Sequence, residues 1–253
     1  MPTMGALHEG HLALTHEARA RADQVIVSIF VNPAQFAPHE DFARYPRDSE
    51  KDRAMLERHG AADLIYAPSV EEIYPPGFAA KPVVEGPAAG LETDFRPHFF
   101  TGVAAAVTRL FLQTEADFAM FGEKDYQQLL VVRRLAKDLD LGLQVVGVPT
   151  VREPDGLALS SRNAYLTPEQ RGTAGKLNRI LKEVGMRARS GVSIPQAEAE
   201  GAAQLLEAGF DRVDYVAIRD AASLVPLRDV LSPTRVLAAA RIGTVRLIDN
   251  MAV

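Results

Sequence analysis

The residues best suited to chemistry lie within the first eleven positions. Thr3-Met4-Gly5-Ala6-Leu7-His8-Glu9-Gly10-His11 sets two imidazoles three residues apart in a turn flanked by glycines. Glycine lets the backbone approach a ligand closely, and a helix N-terminus favours negative charge. From such a turn His8 and His11 can each donate a hydrogen bond to a phosphate whose charge grows as an attacking oxygen reaches phosphorus. Ordinary capping or surface histidines are the alternative, and the H-x-G-H spacing inside the turn weighs against it.

Three further segments carry polar groups where ligands bind. Phe30-Val31-Asn32-Pro33-Ala34-Gln35-Phe36 follows an apolar run, so Asn32 and Gln35 would sit at the C-terminal end of a strand. Their amides can meet hydroxyl and carboxylate groups without adding charge. A plain Asn-Pro turn with Gln35 exposed accounts for the segment equally well. Gly122-Glu123-Lys124-Asp125-Tyr126-Gln127-Gln128 opens a helix after another strand. Acidic residues are favoured in a first helical turn, which explains Glu123 and Asp125. A lysine there is unfavourable unless an anion lies opposite, and Gln128 follows Lys124 by one turn on the same face. Leu157-Ala158-Leu159-Ser160-Ser161-Arg162-Asn163 offers two hydroxyls and a guanidinium for phosphate oxygens, although a polar loop ahead of a helix also suits these residues.

The elements that must position these groups alternate strand and helix through the first two thirds of the chain. Strands are predicted at Gln24–Val31, Leu64–Ala67, Asp117–Phe121 and Leu143–Val148, and helices at Gly10–Ala22, Asp48–His59, Val103–Leu112 and Tyr126–Leu139. This alternation predicts an α/β protein with a Rossmann-like, doubly wound parallel sheet. After Pro149 the pattern changes. Pro154-Asp155-Gly156 marks a turn and a hinge candidate, and Thr167-Pro168-Glu169 starts a long helix. A helix at Ile194–Ala208 and strands at Val213–Arg219, Val236–Ala240 and Val245–Ile248 complete a smaller C-terminal α+β domain. The expected division is 1–150 and 151–253, the second part acting as a lid. Thr3 is expected to leave a central strand, yet little chain precedes it, so an N-terminal helix and first strand are expected to be missing, some 20 to 30 residues upstream.

Composition narrows the class. The 253 residues carry a net charge of -5, which argues against nucleic-acid partners, and no cysteine, which excludes disulfides and thiolate chemistry. No apolar run approaches the roughly 20 residues of a membrane span, and the first residues lack a signal-peptide pattern. The expectation is a cytoplasmic protein with no membrane partner.

Taken in order, T-M-G-x-L-H-x-G-H, F-V-N-P-x-Q-F, G-x-K-D-x-Q-Q and L-S-S-R-N resemble the pantothenate synthetase family. The first of them resembles the H-I-G-H signature of the wider nucleotidylyltransferase superfamily. The likeness continues through Glu40-Asp41-Phe42, Arg44-Tyr45-Pro46-Arg47, Tyr74-Pro75-Pro76-Gly77-Phe78, Arg241-Ile242-Gly243 and Arg246-Leu247-Ile248-Asp249-Asn250. The resemblance implies ATP-dependent joining of pantoate to β-alanine through a pantoyl adenylate, in a homodimer, with Mg²⁺ held mainly by the ATP phosphates and no protein metal site. It implies an ATP site lined by Met4, Gly5, Ala6, Leu7, His8, Glu9, Gly10, His11, Gly122, Glu123, Lys124, Asp125, Val151, Leu159, Ser160, Ser161 and Arg162. His11, His8 and Lys124 would be catalytic. Gln35 would contact pantoate and β-alanine, and Gln128 pantoate, with Asn32 nearby. One departure stands out: Arg96-Pro97-His98-Phe99-Phe100 has Phe99 where the family often has histidine. Two other readings use the same turn. A nucleotidylyltransferase would stop at an adenylated product, and a non-catalytic nucleotide-binding protein would bind ATP without turnover.

Overall fold

Short apolar runs with intervening helices give parallel strands in the first half of the protein, in a computed structural model that describes residues 1–37, 40–230 and 233–253. The elements in order are β1 (Pro2–Thr3), α1 (Glu9–Arg19), β2 (Ile26–Ile29), α2 (Ser49–Arg58), β3 (Leu64–Tyr66), α3 (Val70–Ile73), α4 (Glu92–Phe95), α5 (Phe99–Thr114), β4 (Phe118–Gly122), α6 (Tyr126–Asp138) and β5 (Gln144–Val148). Among the described residues the parallel strands form two ladders, β1-β2-β3 and β4-β5. The register pairs Thr3 with Ile29, Ser28 with Tyr66 and Met120 with Val146. The strand expected to be missing before the turn is therefore there. It is two residues long and paired to β2 by Ser28 N–H to Met1 O (3.0 Å) and Phe30 N–H to Thr3 O (2.9 Å). The expectation of a missing first strand is corrected, because the backbone bonds that its absence would leave open on β2 are made, and the expected missing helix finds no support.

Leu12, Val27, Leu56, Met120 and Val148 share one buried cluster, which joins α1, α2, β2, β4 and β5. Helix α5 runs longer than its apolar core suggested and buries residues around most of its circumference, as an interior helix does. Helix α2 is charged, yet Asp52 and Leu56, one turn apart, are both buried on its inner face.

The chain divides into one unit of Met1–Glu123 with Gln127–Pro149, and a second of Lys124–Tyr126 with Thr150–Val253. The segment 124–126 thus goes with the C-terminal residues, although the sequence groups it with the first 150. In the second unit the helix expected from Thr167 is two helices, α7 (Pro168–Ala174) and α8 (Lys176–Arg189), parted at Gly175. They are followed by α9 (Ile194–Glu207) and an antiparallel sheet of β6 (Arg212–Asp220), β7 (Thr234–Ile242) and β8 (Val245–Ala252), in that order. Leu177, Ile180, Leu181, Val184 and Ala188 recur at helical spacing on α8 and meet Leu205, Ile218 and Val236 in the core of this unit.

Candidate active site

The turn after β1 is held by a residue far away in sequence. Gly5 (φ 79°) and Ala6 (φ 51°) both take left-handed backbone, which costs an alanine about 1–2 kcal/mol. Asp52 stabilises it: its buried carboxylate accepts Ala6 N–H at 2.9 Å and Leu7 N–H at 2.7 Å. A Cβ at position 5 would lie 2.8 Å from Asp52 Oδ2, so the close approach needs glycine. Thr3 Oγ1 adds a bond from Gly5 N–H at 3.1 Å.

His8 caps α1, accepting Gly10 N–H at Nδ1 (3.1 Å), while His11 Nδ1 accepts His8 N–H (3.2 Å). The rings lie 4.1 Å apart, centroid to centroid. Capping and chemistry are therefore not rival roles here. A backbone N–H can only donate, so both Nδ1 atoms are acceptors and each neutral ring carries its proton on Nε2. The turn presents two oriented Nε2–H donors at a helix N-terminus, the arrangement that suits a phosphate. Met4 and Gly10 are half-buried beside them, and Glu9 is exposed in the first turn of α1.

Asn32 and Gln35 come together with this turn. Gln35 Nε2 contacts Met4 Sδ at 3.0 Å, and Gln35 Oε1 accepts from Asn32 Nδ2 at 3.1 Å. Asn32 is buried and fully engaged. Its Nδ2 also donates to Gly102 O (3.0 Å), and its Oδ1 accepts from Ala34 N–H (3.1 Å) and the Tyr74 hydroxyl (2.7 Å). Its amide is used inside the protein, where it orients Gln35. Gly102 lets α5 approach the 33–35 turn, since a Cβ there would lie 2.2 Å from Ala34 O. Arg96 donates to Gln35 O (3.0 Å) and pairs with Glu40, and its guanidinium stacks 3.8 Å from the centre of the Phe99 ring. Phe99 is buried under that arginine, whereas His98 is exposed at the head of α5. Burial pushes the Tyr74 phenol up to about 12, against a smaller opposing effect of its bond to Asn32.

At the end of β4, Glu123–Asp125 form one 3-10 turn before α6. Lys124 Nζ lies 3.8 Å from Asp125 Oδ2. Of the two glutamines, Gln127 is structural: it accepts Glu92 N–H and donates to Pro87 O and Gly90 O. Gln128 is half-buried, and among the described residues no protein group hydrogen-bonds its amide.

In the second unit, Val151–Leu159 is a hairpin closed by Leu159 N–H to Val151 O at 3.0 Å and a bridge of Arg152 with Ala158. Its tip carries Asp155, whose carboxyl the Arg171 guanidinium holds below the usual range. The hairpin delivers Ser160, which caps the 3-10 turn Ser161–Tyr165 by accepting Arg162 N–H at 3.3 Å. Its base is clamped by buried Asp249, which takes two bonds from Arg152 (2.7 and 2.8 Å). Asp52 and Arg152 were not singled out from the sequence, and Tyr74 and Asp249 entered only as parts of the family likeness, with no role. Asp52 left one signal: an acid one turn from Leu56, on the apolar side of an otherwise charged helix.

The fold and this turn define a mixed α/β protein with an H-x-G-H turn at the head of its first helix. The family model described as Pantoate-beta-alanine ligase matches residues 1–252, and the chain belongs to that family. It is 54% identical to the pantothenate synthetase of Nitrobacter hamburgensis, over all of this chain and 89% of that protein. Over the same shares it is 56% identical to the pantothenate synthetase of Rhodopseudomonas palustris strain BisA53. The crystal structure of pantothenate synthetase from Thermus thermophilus superposes with a TM-score of 0.93 at 52% identity, over 99% of this chain and 91% of that one. The ligase of Francisella tularensis, crystallised with βγ-ATP and β-alanine, gives 0.82 at 35% identity, over 99% and 87%.

Proposed function

We propose that this protein uses ATP to join pantoate to β-alanine, giving pantothenate, AMP and diphosphate through a pantoyl adenylate. The observation that carries the reading is the pair of Nε2–H donors fixed at the head of α1 by their own capping bonds. The pantoate carboxylate attacks the ATP α-phosphorus, and the bond to the β-phosphate breaks to release diphosphate. His11 and His8 hydrogen-bond the phosphate oxygens on which charge builds, His11 being the proton donor, and their preset direction avoids reorganisation during the step. The β-alanine amine then attacks the acyl carbon, the acyl–oxygen bond breaks, and AMP leaves.

Gln35 contacts pantoate and β-alanine, held in place by Asn32, and Gln128 contacts pantoate. Met4 to Gly10, Gly122 and Glu123 line the nucleotide in the first unit. The reading also assigns to the nucleotide Lys124, Asp125, Val151, Leu159, Ser160, Ser161 and Arg162, the lysine and arginine offsetting phosphate charge. The Mg²⁺ of the reaction would be carried mainly by the triphosphate itself. Such an ion would supply charge neutralisation to the leaving diphosphate. The same reading takes the protein to be a cytoplasmic homodimer, and no helix among the described residues is long and apolar enough to cross a membrane.

The test omits each reactant in turn. Diphosphate release is expected to need ATP and pantoate, and AMP release to need β-alanine as well. AMP at full rate without any amine would sink the two-step reading, and nucleotide binding without turnover would mark a non-catalytic protein.

A further inference from the structure

Lys124 and the Ser160–Arg162 segment are 36 residues apart in the chain, yet one dipeptide on the last strand reaches the supports of both. We propose that Asp249 and Asn250 are positioning residues which hold Lys124 and the Ser160–Arg162 segment in a fixed relation; the inference rests on the role given above to those two segments.

The contacts all lie within the second unit. Asp249 is buried and accepts both Arg152 Nη1 (2.7 Å) and Nη2 (2.8 Å), with Asn178 Nδ2 also on Oδ2 at 3.3 Å. The same guanidinium donates to Gly156 O at 3.0 Å, inside the hairpin tip, and to Asn250 O at 3.2 Å. Arg152 is bridged to Ala158, two residues before Ser160, so the hairpin that delivers the serines and Arg162 hangs on Asp249. Asn250 then donates from Nδ2 to Lys124 O at 2.9 Å.

Successive strand residues point to opposite faces, which is how neighbours on β8 can reach two different segments. The strand is itself locked: Asp249 pairs with Ala238 and Asn250 with Leu237 of β7. The other end of the lysine segment is tied to the same sheet. Tyr126 donates to Ala221 O at 2.8 Å, and the Arg235 guanidinium of β7 lies 3.6 Å from the centre of the Tyr126 ring. Residues 124–126 are thereby anchored at both ends to the antiparallel sheet. A buried Asp–Arg pair by itself would be weak evidence, because such pairs often add little net stability. Here the pair ties down the hairpin that leads into Ser160, and its neighbour bonds the backbone of Lys124.

The experiment is a double-mutant cycle on the full chain, read as diphosphate release with ATP and pantoate. Asn250→Ala is expected to lower kcat by roughly tenfold or more while pantoate KM stays within about twofold, since the side-chain amide bonds Lys124, which is proposed to meet the transition state and not the pantoate. In a Lys124→Ala background, Asn250→Ala is expected to add less than about twofold, because its effect passes through the missing lysine. Asn250→Asp, of the same shape but without the donor, should lose as much as Asn250→Ala, and Asn250→Ser, which keeps a donor, should lose less. Should Asn250→Ala prove unfolded by circular dichroism, the comparison of Asp with Ser at 250 makes the same test. Near-normal kcat in Asn250→Ala, or a cost that multiplies fully with Lys124→Ala, overturns the proposal. A wild-type chain with no pantoate-dependent turnover would instead overturn the functional reading, so the two failures are distinct.

Discussion

Replacing Asp52 with asparagine tests how the histidine turn is held. The carboxylate receives two backbone N–H groups, one on each oxygen, at 2.9 and 2.7 Å. Asparagine keeps one acceptor and sets an NH₂ against the other N–H. One bond is lost with its donor left buried, a cost of about 1–3 kcal/mol, and the surviving bond falls from charge-assisted to neutral, about 1 kcal/mol more. The sum is roughly 2–4 kcal/mol. At about 2–4 °C per kcal/mol for a unit of this size, the melting temperature should fall by on the order of 5–15 °C. The left-handed backbone at Gly5 and Ala6 loses its brace, and His8 and His11 move with it. A displacement of about 1 Å at such donors costs roughly a hundredfold in rate. Thermal melts by circular dichroism give the first quantity, and diphosphate release at 25 °C with saturating ATP and pantoate gives the second. If Tm falls but turnover of the folded protein stays within about twofold of wild type, Asp52 supports the fold without setting the catalytic geometry. If neither changes, the two bonds stabilise nothing and the reasoning is wrong.

Gly102→Ala should separate α5 from the 33–35 turn, because the new Cβ would lie 2.2 Å from Ala34 O and 2.9 Å from Gln35 N, both backbone atoms. A cost of about 1–3 kcal/mol and a several-fold rise in pantoate KM are expected, measured by urea unfolding and initial rates; an unchanged KM would detach Gln35 from pantoate. Tyr74 makes an alkaline prediction. Its folded phenol, raised by burial to about 12 from 10.0, holds its proton where the unfolded chain releases it. Stability present below pH 10 should therefore be lost as pH rises towards 12, and urea midpoints of Tyr74→Phe should decline less over that window. Equal slopes would refute the assignment.

What the sequence determined by itself was local chemistry. His8, Gly10 and His11 cap one another because their spacing along a helix start dictates it, and Asn32 reaches Ala34 N–H and Gln35 for the same reason. The alternation of apolar runs was enough for parallel strands followed by a different second half. The two-residue first strand was not legible, since its pairing with β2 is decided by a partner 26 residues away. Nor was the link that ties Lys124 to the C-terminal unit, made by Asn250 across 126 residues. Asp52 reaches Ala6 across 46 residues and Asp249 reaches Arg152 across 97, and nothing near either residue foretells its partner. Only tertiary structure decides such contacts, because a buried charge takes whichever donors the packed core brings within about 3 Å, and the local pattern says only that it must find some.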